Sequence, residues 1–273
     1  MDIKHVFSCN PLLPAYRLGT APLSGPASEP LRWIDVSPDP IQDLGVDPGP
    51  FSFDNEGPRH QALVRPFRLA DRLATEGEWL AFMEDGGYRR AELWLSEGWA
   101  TVQAQGWSAP LYWHQVEDQW QVFTLGGARP LLEATPVTHV SYFEADAFAR
   151  WSGRRLATEA EWEVASRLAS ADDAPNDLGA GALHPRPAPV APRPGVRQLF
   201  GDGWEWTASP WCSYPGAEEE FSAPNMPVLR GGSWVDDREH LSCAARKNGH
   251  PYINFGFRVL LVDPLTTNSP ATL

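Results

Sequence analysis

Twenty-seven prolines and 23 glycines are scattered through 273 residues together with 13 tryptophans. Proline removes a backbone donor and glycine raises the entropic cost of order, so long regular helices are disfavoured. The tryptophans supply large anchors that can pin irregular backbone. The expectation is a domain of short elements joined by ordered loops. With 42% hydrophobic residues the chain can bury a real core as one large globular domain. A net charge of -13 and a pI near 4.9 repel polyanions over most of the surface, which argues against nucleic acid as a partner. No run approaches the roughly 18 apolar residues of a membrane span, and Met1 to Val6 lacks the apolar core of a signal peptide. A cytoplasmic protein without a membrane partner is expected. Cys9, Cys212 and Cys243 have neither the number of a disulfide framework nor the spacing of a zinc site and read as free thiols.

Residues 1–50 carry nine prolines between Pro11 and Pro50 and read as an extended lead-in. Leu31 to Val36 predicts a short strand and Ala62 to Leu69 another, with Pro66 pushing the second toward a sheet edge. Three helix starts share one chemistry, a Ser or Thr whose oxygen takes a free backbone N–H while a Glu three residues later reaches back. They are Thr75 with Glu78, Ser141 with Glu144, and Thr158 with Glu161. Gly86-Gly87 and Gly153 mark the stops of the first two helices. The run Arg72 to Trp79 recurs as Arg155 to Trp162, which is read as reused capping chemistry and not as a solenoid repeat. Leu111 to His114 and Trp120 to Leu125 flank Glu117-Asp118 as a β-hairpin. Residues 170–195 look like a long surface loop, and Phe255 to Val262 like a buried strand. The class is α+β, with short helices on small irregular sheets.

Signatures for phosphate cradles, dinucleotide binding and the nucleophile elbow are missing. The seven histidines, His5, His60, His114, His139, His184, His240 and His250, never pair at the spacing that sets two imidazoles on one helix face. The residues therefore supply no readable iron site. Two glycine-bearing runs stand out, Gln198 to Thr207 and Val228 to Trp234. Paired glycines let backbones approach closely, and Trp204, Trp206 and Trp234 would plug the gaps, which is a packing role.

These runs resemble the formylglycine-generating-enzyme-like, or sulfatase-modifying-factor, domain. The resemblance rests on Gly-Asp-x-Trp-Glu-Trp at Gly201 to Trp206, Leu-Arg-Gly-Gly-Ser-Trp at Leu229 to Trp234, and Asn254-Phe255-Gly256-Phe257-Arg258. The run Arg155 to Trp162 matches the family's Arg-Leu-Pro-Thr-Glu-Ala-Glu-Trp with Ala157 in place of proline. The implied fold is C-type-lectin-like, with a lead-in over 1–50, the domain over 51–263 and a tail over 264–273. Phe51 to Glu56, Gly98-Trp99 through Trp113, and the opening Asp2 to Val6 look like the ergothioneine-type sulfoxide synthases. In that family the opening run directly follows an iron-binding His-x-x-x-His helix of an N-terminal four-helix domain, so the iron ligands are expected upstream of Met1.

What the resemblance implies is a parent enzyme in which iron(II) and dioxygen join a thiol, cysteine or γ-glutamylcysteine, to the imidazole C2 of trimethylhistidine as a sulfoxide. This chain would bind the two small molecules as a substrate wall, bind no iron and be inactive alone, with room for a structural calcium ion. Trp204 and Tyr214 are expected to face the quaternary ammonium, and Arg246 a carboxylate. Asn248 stands one place later than the family's Arg-Asn, and the aromatic that follows there is lost, which leaves the substrate pair open to a selenium-using or other paralogue. The segment Tyr214 to Pro227 is short and lacks the tyrosine that some relatives use as a proton donor. Cys243 stands without the second cysteine of copper-binding formylglycine-generating enzymes, so a sulfatase-activating oxidase is disfavoured. The competing expectation is a non-catalytic binding or scaffold module of the same fold.

Overall fold

The computed structural model describes residues 2–18, 29–47, 49, 52–169, 174–190, 195–218, 221–252 and 261–263. In chain order the elements are α1 (Asp2–Ser8), β1 (Trp33–Val36), β2 (Ile41–Leu44), β3 (His60–Leu63), β4 (Phe67–Ala70), α2 (Glu76–Glu84), α3 (Ser96–Gln105), β5 (Trp113–Val116), β6 (Gln119–Thr124) and β7 (Gly127–Pro130). They continue with α4 (Tyr142–Trp151), β8 (Arg155–Leu156), α5 (Glu159–Ser166), β9 (Glu205–Cys212), β10 (Ser222–Arg230), β11 (Arg246–Asn248) and β12 (Leu261–Asp263). Among the described residues four small sheets result, ordered β1-β4-β12-β8, β11-β10-β9, β5-β6-β7 and β2-β3. All their strand pairs are antiparallel. The first joins distant parts of the chain, because Leu69 pairs with Ile34 on one side and Val262 on the other.

All three capping boxes form. Thr75, Ser141 and Thr158 each accept the N–H of the Glu three residues on, and that carboxylate accepts the cap's own N–H at 2.9, 2.7 and 2.8 Å. The recurring run does more than cap. Arg72 donates two hydrogen bonds to Glu78 and Arg155 two to Glu161, so in both copies an arginine six residues upstream closes the box from outside. The inner glutamates, Glu76 and Glu159, point inward to arginines on distant strands, Arg129 on β7 and Arg230 on β10. Trp79 and Trp162, at the same place in each copy, are fully buried.

Several expectations change. The single strand over Ala62 to Leu69 is two strands, β3 paired with β2 and β4 inside the larger sheet, with Pro66 in the connection between them. Since β4 has neighbours on both sides, the proline does not mark a sheet edge. The lead-in contains the helix α1, which ends before Pro11 can obstruct it. The helix α3 lacks a capping signal, because Leu95 at its N-cap offers no side-chain oxygen, and it stops at Gly106 with φ of 66°. The hairpin β5–β6 turns through Glu117 and Asp118, both left-handed at φ 48° and 62°, and gains a third strand, β7. Within 170–195 the described parts are not all surface, since Asn176 is fully buried and donates to His184 O and to Asp202 Oδ1. Of the strand expected over 255–262, Leu261 and Val262 belong to β12; residues 253–260, including the Asn254 to Arg258 motif, and the 264–273 tail lie outside the described residues.

The close approaches assigned to glycine occur at two motif positions. A Cβ on Gly201, where φ is +80°, would lie 2.3 Å from Asn176 O. One on Gly231, at φ +94°, would lie 2.7 Å from Leu199 O and 3.4 Å from Trp162. The indole at Gly231 is that of Trp162; Trp206 lies against Gly249, Trp206 and Trp234 are buried, and Trp204 is half-buried. Among the described residues no helix is long and apolar enough to cross a membrane.

Candidate functional site

The sheet β9–β10–β11 lies over α5, and their shared interior is ionic. Glu159 and Glu163, four residues apart, lie on one face of α5. Register sets Arg230 opposite Arg246 on one side and opposite Glu205 on the other. Arg230, fully buried, donates from Nη2 to Glu163 at 2.7 Å and from Nε to Glu159 at 3.1 Å, and from Nη1 to Cys243 O at 2.8 Å. Arg246 reaches the same Glu159 through Nε at 2.8 Å and Nη2 at 3.0 Å. Two carboxylates and two guanidiniums balance, which is the condition for holding charge away from water. The N–H of Gly45 satisfies the remaining oxygen of Glu163 at 2.7 Å.

Tyr214 closes the cluster. Its hydroxyl accepts from Arg230 at 2.7 Å and donates to Glu159 at 3.3 Å, while the Arg246 guanidinium stacks 3.9 Å from its ring centre. Burial, with the charge of Glu159 acting in the same direction, holds the phenol protonated well above its ordinary range despite the opposing charges of Arg230 and Arg246.

The four residues singled out in the sequence thus fall into two settings. Tyr214 and Arg246 are buried in the ion cluster, where Arg246 also donates to the carbonyls of Asn55 and Cys212 and, among the described residues, keeps one N–H uncommitted. An arginine so engaged offers a carboxylate little more than one N–H edge. Trp204 and Asn248 are each half-buried, Trp204 with the Lys247 ammonium 5.7 Å from its ring, and Asn248, which alternates to the other face of β11 from Lys247, opposite Val228 in the sheet register. Neither Glu159 nor Lys247 was singled out in advance. Glu159 could have been, because the earlier copy of its motif carries Glu76 at the same place.

A second polar cluster lies between α1, α2 and β7. Arg129 donates twice to Glu76, at 2.7 and 3.0 Å, and once to His184 Nε2 at 3.2 Å, while the Lys4 ammonium lies 2.5 Å from His139 Nε2. The imidazole nitrogens facing these cations are engaged by them, which suits hydrogen bonding and not metal binding. Among the described residues no three His, Cys, Asp or Glu side chains are grouped to hold a metal ion, so these residues do not fit an iron centre. Beside the hairpin, a recess of about 400 Å³ is lined by Trp107, Tyr112, Trp113, His114 and Trp120.

The short elements, the three caps and the glycine-bearing runs belong together, and the family model described as a sulfatase-modifying factor enzyme 1-like domain matches residues 39–177 and 179–262. The chain belongs to this family. Relatives of the sulfatase-modifying-factor domain include the hercynine oxygenases of Mycobacterium tuberculosis, 39% identical over 77% of this chain and 55% of the relative, and of Mycolicibacterium thermoresistibile, 38% identical over 76% and 53%. The chain spans about half the length of these two. The inactive C-alpha-formylglycine-generating enzyme 2 of Bos taurus is 31% identical over 71% of this chain and 73% of its own length. Among solved structures, PvdO from Pseudomonas aeruginosa aligns with a TM-score of 0.56 and 17% identity over 84% of this chain and 93% of its own, which shows the shared sulfatase-modifying-factor fold.

Proposed function

We propose that this chain is the substrate-binding part of an iron(II)- and dioxygen-dependent sulfoxide synthase of the ergothioneine type. The acceptor is hercynine, the trimethylated betaine of histidine, and the donor is cysteine or γ-glutamylcysteine. The observation that supports this reading is the similarity to hercynine oxygenases over about three quarters of the chain. In the overall reaction the thiol S–H and the imidazole C2–H are lost and a C–S bond forms. Dioxygen takes up four electrons, one oxygen remaining on sulfur and the other leaving as water. Iron is assigned to an N-terminal four-helix domain outside these residues, and this cytoplasmic chain contributes recognition.

Trp204 presents an indole face that already attracts the Lys247 ammonium, and a trimethylammonium group fits such a face by the same electrostatics. Asn248, next to Lys247 in β11, carries an amide that can both donate to and accept from an imidazole or carboxylate. Tyr214 and Arg246 both bond Glu159 beneath β11, and the N–H of Arg246 left uncommitted among the described residues is what it retains for a ligand. A structural calcium ion belongs to the same reading as a proposal only, since among the described residues no three His, Cys, Asp or Glu side chains are grouped to hold one.

The test compares this chain with a form extended upstream, each supplied with iron(II), hercynine and either thiol in air, with the sulfoxide read by mass spectrometry. Product from the extended form alone supports the reading, and iron-loaded but silent extended protein points to another substrate pair, including a selenium donor. A non-catalytic module is the second reading, favoured by the similarity to an inactive relative. It predicts that the extended form neither loads iron nor turns over.

A further inference from the structure

The recess beside the hairpin is walled by indoles that recognition at Trp204 leaves unused. Gly106, left-handed at φ 66°, ends α3, and the chain runs on through Pro110 to Tyr112, whose own left-handed backbone at φ 74° turns it into β5. The segment is tied down along its length. The N–H of Trp107 donates to Val102 O, that of Leu111 to His139 O and that of Trp113 to Pro110 O, each at 3.1 Å, while Phe123 N–H donates to Tyr112 O at 2.9 Å. A tyrosine at positive φ is strained, and it persists because these contacts hold it. The recess is therefore preformed, and a ligand entering it does not first have to order the backbone.

Its walls are neutral and aromatic. Trp107, Tyr112, Trp113, His114, Gln115 and Trp120 line about 400 Å³, a volume suited to a small molecule, and no Lys, Arg, Asp or Glu is among the lining residues. The Trp113 and Trp120 rings have centres 6.2 Å apart and planes tilted by 56°, so they open as a wedge. The indole N–H of Trp107 is already taken by Gln105 Oε1 at 3.0 Å. Elsewhere the protein covers its aromatic rings with its own cations: Arg154 lies 4.9 Å from the Trp33 ring centre, Lys247 5.7 Å from Trp204, Arg246 3.9 Å from Tyr214, and Lys4 4.6 Å from Tyr112. Among the described residues no lysine or arginine sits over Trp107, Trp113 or Trp120. At the tip of the same hairpin Glu117 and Asp118 are exposed and, among the described residues, in no ion pair. With the net charge of -13, they make the approach to the recess attractive to cations.

We propose that this recess binds the methylated ammonium head of a small organic cation, seated between the Trp113 and Trp120 rings and closed by Trp107. A cation in the wedge can lie within about 6 Å of both ring centres, the range over which an indole face attracts it. A primary ammonium or a guanidinium would give up water for walls that cannot accept all its N–H groups, whereas a trimethylammonium has no N–H to satisfy and presents methyl groups to the rings. A neutral group of the same shape gains the burial without the attraction to the ring quadrupoles. The recess shares no residue with the Trp204 surface, so its failure to bind would leave the sulfoxide-synthase reading intact.

The test titrates three probes into the nitrogen-15-labelled chain: choline, the neutral alcohol in which a tert-butyl group replaces the trimethylammonium, and a methyl glucoside. The indole N–H signals, assigned with single Trp→Phe variants, report where each probe sits. Choline is expected to shift the signals of Trp107, Trp113 and Trp120 saturably at millimolar concentration, and to bind about tenfold more tightly than the alcohol. Trp120→Leu, which removes one wall of the wedge, should weaken choline about tenfold. Equal binding of choline and the alcohol overturns the proposal, as does preference for the glucoside, choline shifts confined to Trp204, or no saturation below about 50 mM. Should Trp120→Leu fail to fold, the comparison of probes on the native chain still decides.

Discussion

Replacing Arg246 by methionine separates two roles for the residue. The substitution removes two hydrogen bonds to Glu159, one each to Asn55 O and Cys212 O, and the stack on Tyr214 at 3.9 Å. Removing one partner of a buried ion pair costs about 3–5 kcal/mol. Glu159 keeps Arg230 at 3.1 Å and the Tyr214 hydroxyl at 3.3 Å, so the lower end applies, about 3 kcal/mol. The lost cation–π contact adds about 1 kcal/mol. With a urea slope of about 3 kcal/mol per molar, the unfolding midpoint should fall by about 1 M or more, at an unchanged slope. Urea unfolding followed by tryptophan fluorescence measures this. A midpoint shift below about 0.2 M, equivalent to less than about 0.6 kcal/mol, would refute the reasoning. The guanidinium would then be free for a ligand, and lost hercynine affinity in the extended protein would follow.

Two further outcomes test the frame. Burial raises Glu144 to about 7 although Tyr88 and Ser141 donate to it. Its folded value lies above the unfolded one, so its stabilising contribution is full below about pH 4.5 and is lost as pH rises through 7, a change of about 3 kcal/mol. Glu144→Gln should flatten urea stability across that window, and a slope equal to that of the native chain would contradict the assignment. Gly201→Ala combines a left-handed backbone, worth about 1–2 kcal/mol, with a Cβ 2.3 Å from Asn176 O, so a loss of roughly 2–5 kcal/mol is expected by thermal unfolding. Native-like stability would show that the loop at Asn176 yields.

The legible parts of the fold were those whose cause is local. Thr75, Ser141 and Thr158 each bond a glutamate three residues away, and Glu117-Asp118 turns a hairpin through its own dihedrals, so neighbours along the chain suffice. Helix α3 escaped because Leu95 at its N-cap offers no side-chain oxygen, and α1 because seven residues carry too little pattern to announce a helix. The motif runs from Gly201 to Trp206 and Leu229 to Trp234 announced the family, since only glycine permits the approaches they make to Asn176 and Leu199.

The candidate site divides along the same line. By itself the sequence determined the fold family, the short caps, the close-packed glycines and the list of aromatic and basic residues able to meet a betaine. Only the tertiary structure decided which of them are available. Glu159 meets Arg230 and Arg246 across separations of 71 and 87 residues, and Lys4 meets His139 across 135. A charge is buried only where its partner arrives from elsewhere in the chain, and a one-dimensional pattern carries no record of that arrival. Arg246 therefore turned inward while Trp204 and Asn248 stayed at the surface.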